Sequence, residues 1–499
     1  MSAGDEWGVV FPEVGGSRSS TVTGAAILAA AVRGWDPYQA DRIVAAGNWR
    51  TEYLDHYVAV TAAGARGGAP VLGIATDGLA AMRRMLHHRG DSGEVPLDRL
   101  DWPTTVTAKT VTVHGESSPA RELSVPYHGG RLSGSALRDQ LCRWRDLGVV
   151  EPGFADAVQR VIDDPSLLAL PGRQVALIGA AAEMGPLEPL SEWGADVLAL
   201  DVPMRAVADR IAGIARRGAG SVTVPQRDSD SAAGLDVAAA VGEAGAWIQA
   251  AADKPLVLGM YGYADGPRHV TLTAAADLIA TRLLAQRPGT ALAYLGTPTD
   301  AYLVPGDIVD GTRPLPGRGG RLTAATCDGL RTISRGRMGR RAYPVTHAGP
   351  GGSRWGVADM MLPMQGPNYA LAKRLQRWRA LTATAAGHPV SITVAPAAWT
   401  RSVTRNPTFE IAYSGAEFFG VQIFPPDTAR YLMAAKLVAD LAAPVPDRDG
   451  QPEALLYADA AHGGFWRQPY DPKSVLPLVA ALGLGARGSR AARKILGRS

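Results

Sequence analysis

The segment VALIGAAAEMGPLEPLSEWGADVLALD, from Val175 to Asp201, constrains the fold of this chain most strongly. Its apolar start predicts a buried strand, its middle predicts a helix, and its end predicts a second strand that stops at Asp201. Gly179 and Gly185 lie between the first strand and the helix, where a tight turn favours residues without a Cβ. This order is typical of a βαβ unit with parallel strands.

Five further apolar runs follow the first predicted strand, and helical stretches separate most of them. Near-continuous apolar strands that alternate with helices indicate a parallel sheet covered on both faces. The sequence therefore predicts an α/β fold with a doubly wound parallel sheet. The predicted strands are Val175–Ile178, Val197–Leu200, Ser221–Val224, Leu256–Gly259, Leu292–Leu295 and Val390–Val394.

The chain of 499 residues is long enough for two or three domains. We expect the sheet domain at 171–445, with an insertion at 300–350 that is rich in Gly, Pro and Arg. Residues 1–150 are expected to form a separate N-terminal α/β or α+β region of unknown role, and residues 446–499 a C-terminal segment with a basic tail. Elements predicted before the sheet are helices at Ala25–Val32, Ser135–Leu147 and Gly153–Asp163, a buried strand at Pro70–Ile74 and an exposed-face strand at Thr105–Val113.

Composition argues against several classes of function. The 51 basic and 47 acidic residues give a net charge of only +4, so we expect no nucleic-acid partner. Cys142 and Cys327 are too few for a disulfide framework or a cysteine zinc site, and no HxxxH or HExxH spacing predicts a metal. The acidic N-terminus predicts no signal peptide, and no apolar run is long enough for a transmembrane segment. We expect a soluble, cytoplasmic protein with a small-molecule substrate, and a homo-oligomer stays open.

The glycine turn after the first strand fits a dinucleotide phosphate site. Glycine lets the backbone approach a pyrophosphate, and the following helix start presents free N–H groups. Asp201 lies 22 residues beyond Gly179, near the spacing of about 20 at which an acid binds the adenosine ribose. An acid there would repel a 2′-phosphate, which favours NAD over NADP, although Arg205 leaves NADP open. The candidate cofactor contacts in this segment are Gly179, Ala180, Met184, Gly185 and Asp201.

Tyr369 and Lys373 form a second motif, YALAK, on a predicted helix. Residues four apart share a helix face, so a lysine ammonium would lie beside the phenol and lower its pKa. A tyrosine of this kind can act as a general acid or base at a carbonyl or carbinol. A third motif follows in the strand PVSITVAPAAWT, which breaks at Pro396 and continues to Thr400, where freed backbone and a hydroxyl could bind a nicotinamide carboxamide.

Together the three motifs resemble the short-chain dehydrogenase/reductase family, over about residues 171–410. The family's glycine-rich loop corresponds to Gly179 through Gly185, its YxxxK pair to Tyr369 and Lys373, and its later loop to Pro396 and Thr400. The resemblance implies a Rossmann sheet, an NAD or NADP cofactor and an oxidoreductase activity. It also implies a cofactor contact at Gly259, the last residue of the fourth strand. A further contact is implied at Asp236, for which helix capping is the alternative.

The sequence departs from the family pattern at several positions, among them Ile178 and Ala397. Glu183 stands where the loop's middle glycine belongs, and Gly356 stands where the catalytic serine is expected. We favour Thr297, which with Thr299 follows the fifth strand, as the replacing hydroxyl, and Ser353 is the alternative.

We therefore predict an NAD(P)-dependent oxidoreductase acting on a carbonyl or alcohol, with a bulky apolar substrate as one option. That option rests on Trp355, Met360, Met361 and Met364, which precede Tyr369 and could instead be core residues. Two other functions stay open: a nucleotide-binding Rossmann protein without catalysis, and an S-adenosylmethionine-dependent methyltransferase, which shares the first motif's order.

Overall fold

The computed structural model describes residues 7–102, 106–312, 320–405, 407–416, 419–443 and 451–479. Several sequence predictions fall outside the described residues. These are residues 313–319 of the insertion, residues 446–450 at the start of the C-terminal segment, and the basic tail with Arg487, Arg490, Arg493, Lys494 and Arg498.

A seven-stranded, mostly parallel sheet lies at the centre of the fold and confirms the predicted α/β class. Its parallel strands, in chain order, are β1 Gln174–Ile178, β2 Asp196–Leu200, β3 Ser221–Gln226, β4 Leu256–Met260, β5 Ala291–Gly296 and β6 Val390–Val394. Their neighbour order in the sheet is β6-β5-β4-β1-β2-β3, followed by an antiparallel edge strand, Lys109–His114, beside β3. The order reverses between β1 and β4, which creates the crevice at the carboxyl edge where doubly wound folds bind ligands. Each of the six parallel strands predicted for this sheet agrees with the observed strand to within two residues.

Helices cover both faces of the sheet, because side chains alternate across each strand. In β1, Ala176 and Ile178 enter one core, and Val175 and Leu177 enter the other. The helices within the described residues are α1 Ser20–Arg33, α2 Pro37–Val44, α3 Trp49–Ala63, α4 Gly68–Met85, α5 Gly134–Asp146, α6 Pro152–Asp163, α7 Leu187–Trp193, α8 Arg205–Arg217, α9 Val241–Ala251, α10 Pro267–Gln286, α11 Gly306–Asp310, α12 Gly320–Ile333, α13 Pro367–Ala385, α14 Arg401–Arg405, α15 Pro407–Ala416, α16 Pro426–Ala442 and α17 Ala454–Tyr457. None of these described helices combines the length and the apolar character needed to cross a bilayer.

The predicted strand at Pro70–Ile74 is wrong, because these residues form the start of α4. A short apolar run does not by itself distinguish a strand from a buried helix. The residues that α4 buries recur at helical spacing well beyond the run, and Pro70 lies in the first turn, where a helix tolerates proline. The buried residues of α4 are Val71, Ile74, Ala75, Gly78, Leu79, Ala81 and Met82.

Helices α1 and α4 of the N-terminal region pack directly on α13. They share one core with the strands of the sheet. The same region also supplies the edge strand Lys109–His114. The domain boundaries expected near residues 150 and 445 stay a prediction.

The contact between α4 and α13 depends on a glycine. A Cβ on Gly78 would overlap the indole ring of Trp378. We predict that Gly78→Ala lowers the free energy of unfolding by about 1–3 kcal/mol, the usual cost of overpacking, although alanine favours helix over glycine. Gly329→Ala is the matched control, because Gly329 in α12 has open space around it and should gain stability. Equal effects of the two substitutions in urea unfolding would contradict the packing.

Part of the predicted insertion forms a second, antiparallel sheet. Ala301–Pro305 pairs with Arg354–Asp359, which pairs with Thr346–Ala348. The chain therefore leaves β5, builds this small sheet and returns as α13, so that Tyr369 lies at the start of α13.

Candidate active site

The glycine turn after β1 lies at the switch point of the strand order. Gly179 has a φ of 77°, and a Cβ there would overlap Gly262 in the segment after β4. The backbone N–H groups of Gly179 and Ala180 both donate to the carbonyl of Leu200, at 2.9 and 3.1 Å. The turn therefore requires glycine at position 179, both for its positive φ and for the close approach of Gly262. The N–H groups of Gly179 and Ala180 are already used in hydrogen bonds to the end of β2.

Asp201 holds the glycine turn against the end of β2. Its Oδ2 accepts from the N–H of Ala181 and its Oδ1 from the N–H of Val202, both at 2.8 Å. Burial raises the pKa of Asp201, and these two hydrogen bonds oppose that rise. Each carboxylate oxygen keeps further acceptor capacity, so the group can still bind a ribose hydroxyl.

Glu183 connects the glycine turn to the segment after β6. Its Oε2 accepts from the backbone N–H of Arg401 at 2.8 Å, at the start of α14. The carboxylate therefore points across the turn toward the third motif. Thr400 is the residue before Arg401, and its hydroxyl forms a hydrogen bond with the hydroxyl of Ser402 at 2.9 Å. Pro396, the other predicted contact of this segment, is buried.

The remaining predicted cofactor contacts differ in their surroundings. Gly185 donates its N–H to Ala182, and Met184 packs against the second core. Gly259 lies in β4, where a Cβ would meet the ring of Tyr261. Asp236 accepts from the N–H groups of two following residues at 3.2 Å and pairs with Arg268, so its carboxylate is already occupied by a cap and an ion pair.

Lys373 reaches the carboxyl end of β5 from α13. Its Nζ donates to the carbonyl of Leu295 and to Oε1 of Gln376, each at 3.2 Å. Burial lowers the pKa of Lys373 to about 8, although the nearby Asp300 carboxylate opposes this. The ammonium is therefore held at the mouth of the sheet by two neutral acceptors.

Tyr369 lies in the first turn of α13, and the side chain of Thr297 lies beside its phenol. Burial raises the pKa of Tyr369, and the Thr297 hydroxyl beside the phenol only partly opposes the rise. The expectation that Lys373 lowers this pKa is wrong for the described geometry, because the ammonium is directed to Leu295 and Gln376. Tyr369 is therefore a protonated phenol at neutral pH.

Thr297 lies beside Tyr369, whereas Ser353 forms its hydrogen bonds with residues of its own turn. Thr297 Oγ1 also lies 2.9 Å from Thr299 Oγ1. Ser353 donates to the carbonyl of Pro350 at 2.8 Å and accepts from Trp355 Nε1 at 3.1 Å, and no described contact joins it to Tyr369. Thr297 is therefore the better placed of the two candidate hydroxyls.

The apolar residues before Tyr369 are mostly core. Trp355, Met360 and Met361 are buried, and only Met364 is exposed, at 37%. The packing interpretation of this stretch therefore holds for three of its four residues.

A buried ionic network lies on the face of α13 behind the site. Asp300 accepts from Arg374 Nη2 at 2.8 Å. Arg377 donates to both oxygens of Glu453, at 2.7 and 2.8 Å. Arg374 also donates to Thr61 of α3 at 3.0 Å. The network ties α13 to α3 and to the second sheet.

Sequence reasoning missed His269, which lies beside Tyr369. It belongs to the first turn of α10, is 1% exposed, and its ring centroid lies 5.5 Å from that of Tyr369. Tyr263 packs on the same two rings. A single histidine in the first turn of a helix gives no sequence signal, and only its contact with the Tyr369 ring identifies it.

The environment of His269 gives a pH-dependent stability. Burial, with the Lys373 charge nearby, lowers the pKa of His269 from 6.5 to about 3. Because the unfolded chain binds this proton first, the contribution of His269 to stability is full above about pH 6.5 and is lost as pH falls toward 3. We predict that, as pH falls from 6.5 to 5, the free energy of unfolding of the wild type drops by up to ~1.4 kcal/mol more per pH unit than that of His269→Phe. Parallel urea titrations measure this difference, and identical pH slopes would contradict it.

Comparisons with known proteins add little to this geometry. No family model matches the chain, and no curated protein is similar to it. Among solved structures, the terminal R domain from the myxalamid PKS-NRPS biosynthetic pathway matches at 15% identity, over 51% of this chain and 59% of that chain, with a TM-score of 0.27. A similarity of that size supports no functional inference.

Proposed function

We propose that this protein is a divergent short-chain dehydrogenase/reductase-like oxidoreductase that uses NAD or NADP to reduce a carbonyl. The observation that carries the proposal is the contact of Tyr369 with Thr297, beside Lys373, at the carboxyl end of β5. The glycine turn and Asp201 lie at the same edge of the sheet, on the other side of the switch point. Ligands of doubly wound folds bind at this place.

The chain's residues fit a dinucleotide. Gly179 and Gly262 approach each other so closely that no side chain fits between the glycine turn and the segment after β4. The spare acceptor capacity of Asp201 suits the adenosine ribose hydroxyls, and its charge favours NAD over NADP. Lys373 would hold the second ribose from α13, at the carboxyl end of β5. When bound, the cofactor supplies the hydride.

Tyr369 would act as the proton donor. The carbonyl oxygen would take the phenol proton as an aldehyde or ketone becomes an alcohol, and the carbonyl carbon would take the hydride that a bound NADH or NADPH supplies. A raised pKa keeps the phenol protonated, which favours reduction over alcohol oxidation at neutral pH. Thr297 would orient the phenol and the carbonyl oxygen.

A melting-temperature comparison with NAD, NADP and S-adenosylmethionine tests this function. A ligand that binds only the native state stabilises it by about 2.7 kcal/mol at a concentration of 100 Kd. We expect NAD to raise Tm, and Asp201→Ala to reduce the rise. A rise in Tm with S-adenosylmethionine alone would indicate a methyltransferase. Binding of NAD or NADP without turnover of any aldehyde or ketone would indicate a nucleotide-binding protein without catalysis.

A further inference from the structure

His269 is a buried polar residue that none of the roles above uses. Among the described residues, neither of its ring nitrogens has a hydrogen-bond partner. A buried polar group without a partner costs stability, so native proteins rarely keep one without a reason. Here the unpartnered group lies against the proposed proton donor.

His269 lies close to the switch point of the sheet. The segment after β4 places it at the switch point, because Tyr261 and Gly262 donate to the carbonyl of Ile178 just before the glycine turn. Its imidazole ring is tilted by 56° against the ring of Tyr369. Tyr263, which is 56% exposed, packs on the same imidazole ring with a centroid distance of 5.2 Å.

The charges around His269 favour a neutral ring. Lys373 is the cation that faces it from α13, and Tyr369 and Tyr263 are its titratable ring neighbours. The start of α10 adds the positive end of a helix dipole, which also disfavours a second proton on the ring. A neutral imidazole offers one N–H donor and one acceptor nitrogen.

We infer that His269 is a substrate-binding residue, whose imidazole N–H donates a hydrogen bond to an oxygen of the carbonyl substrate that Tyr369 protonates. This inference rests on the proposed function and deepens it, because it gives the substrate oxygen a donor besides Tyr369. The ligand that accepts this hydrogen bond from His269 is the substrate and not the cofactor. The cofactor candidates Gly179, Asp201 and Lys373 reach the site from the ends of β1 and β2 and from α13.

The test compares His269→Phe with wild type. Phenylalanine keeps a planar ring and removes both nitrogens, so it should raise Tm while kcat/KM for carbonyl reduction falls at least tenfold. NADH affinity, measured by fluorescence titration, should stay within about twofold. His269→Gln, which retains a donor and an acceptor, should recover part of kcat/KM. The activity assay follows NADH and NADPH oxidation with a panel of aliphatic and aromatic aldehydes and ketones.

Thr273→Val is the matched control. Thr273 lies one turn further along α10, is also buried, and its hydroxyl also has no partner among the described residues. Removing that hydroxyl should raise Tm without changing kcat/KM, which separates the removal of an unpartnered group from the loss of a substrate contact.

The outcomes separate this inference from the function on which it rests. Wild type that neither binds NADH or NADPH nor reduces any carbonyl would overturn both. Wild type that reduces a carbonyl with unchanged kcat/KM in His269→Phe would overturn the inference and leave the function intact. An equal loss of NADH affinity and kcat/KM would also overturn it, because it would make His269 a cofactor contact.

Discussion

Tyr369→Phe is expected to lower kcat for carbonyl reduction by about 10²–10⁴-fold, the range that a positioned general acid contributes. The substitution removes one hydroxyl and keeps the ring that packs against His269 and Tyr263. Cofactor affinity and Tm should therefore change little. Steady-state kinetics with NADH and the best carbonyl of the panel, together with a fluorescence titration of NADH, measure both quantities.

Tyr343→Phe is the control for the loss of a tyrosine hydroxyl. Tyr343 donates to the carbonyl of Trp466 at 2.9 Å, away from the site, so its hydroxyl serves structure only. We expect a modest loss of stability and unchanged kcat in that variant. Full activity in Tyr369→Phe would remove Tyr369 as proton donor and with it the proposed reaction.

Asp300→Ala is expected to lower the free energy of unfolding by about 3–5 kcal/mol. Asp300 and Arg374 are each 2% exposed, so the substitution leaves a buried guanidinium without its carboxylate. Among the described residues, the remaining partners of Arg374 are uncharged, namely the hydroxyl of Thr61 and the ring of Tyr57. Urea unfolding at neutral pH measures the loss.

The double variant Asp300→Leu with Arg374→Met is the informative comparison. A buried ion pair replaced by apolar residues of similar volume is often neutral in stability, whereas removing one partner is costly. We therefore expect the double variant to be more stable than Asp300→Ala, with a coupling that a double-mutant cycle quantifies. A loss below about 1 kcal/mol in the single variant would contradict the buried pair.

The sequence predicts the central sheet well because each strand is signalled locally. Buried parallel strands are continuous apolar runs, and glycine marks the turns where they end. The same argument fails at Pro70–Ile74, because a run of that length is equally apolar in a buried helix. The edge strand's place beside β3 also needs tertiary information, since its partner lies more than a hundred residues away.

The candidate site was predictable only where its chemistry depends on local spacing. Tyr369 and Lys373 are one helix turn apart, and Thr297 follows β5 directly. Counting back from Tyr369 suggested Ser353 as well, because the sequence does not show that Ala301–Pro305 and Arg354–Asp359 form a sheet of their own. The orientation of the Lys373 ammonium is set by Leu295, and no spacing rule reports that contact.

Hydrogen–deuterium exchange with and without NADH tests most directly whether the glycine turn and the first turn of α13 border one ligand. We predict that NADH slows amide exchange in peptides that cover 179–185, 295–299 and 366–373 together. Protection of the glycine turn without protection around Tyr369, or protection only in the N-terminal helices, would contradict a dinucleotide bound between Asp201 and Lys373.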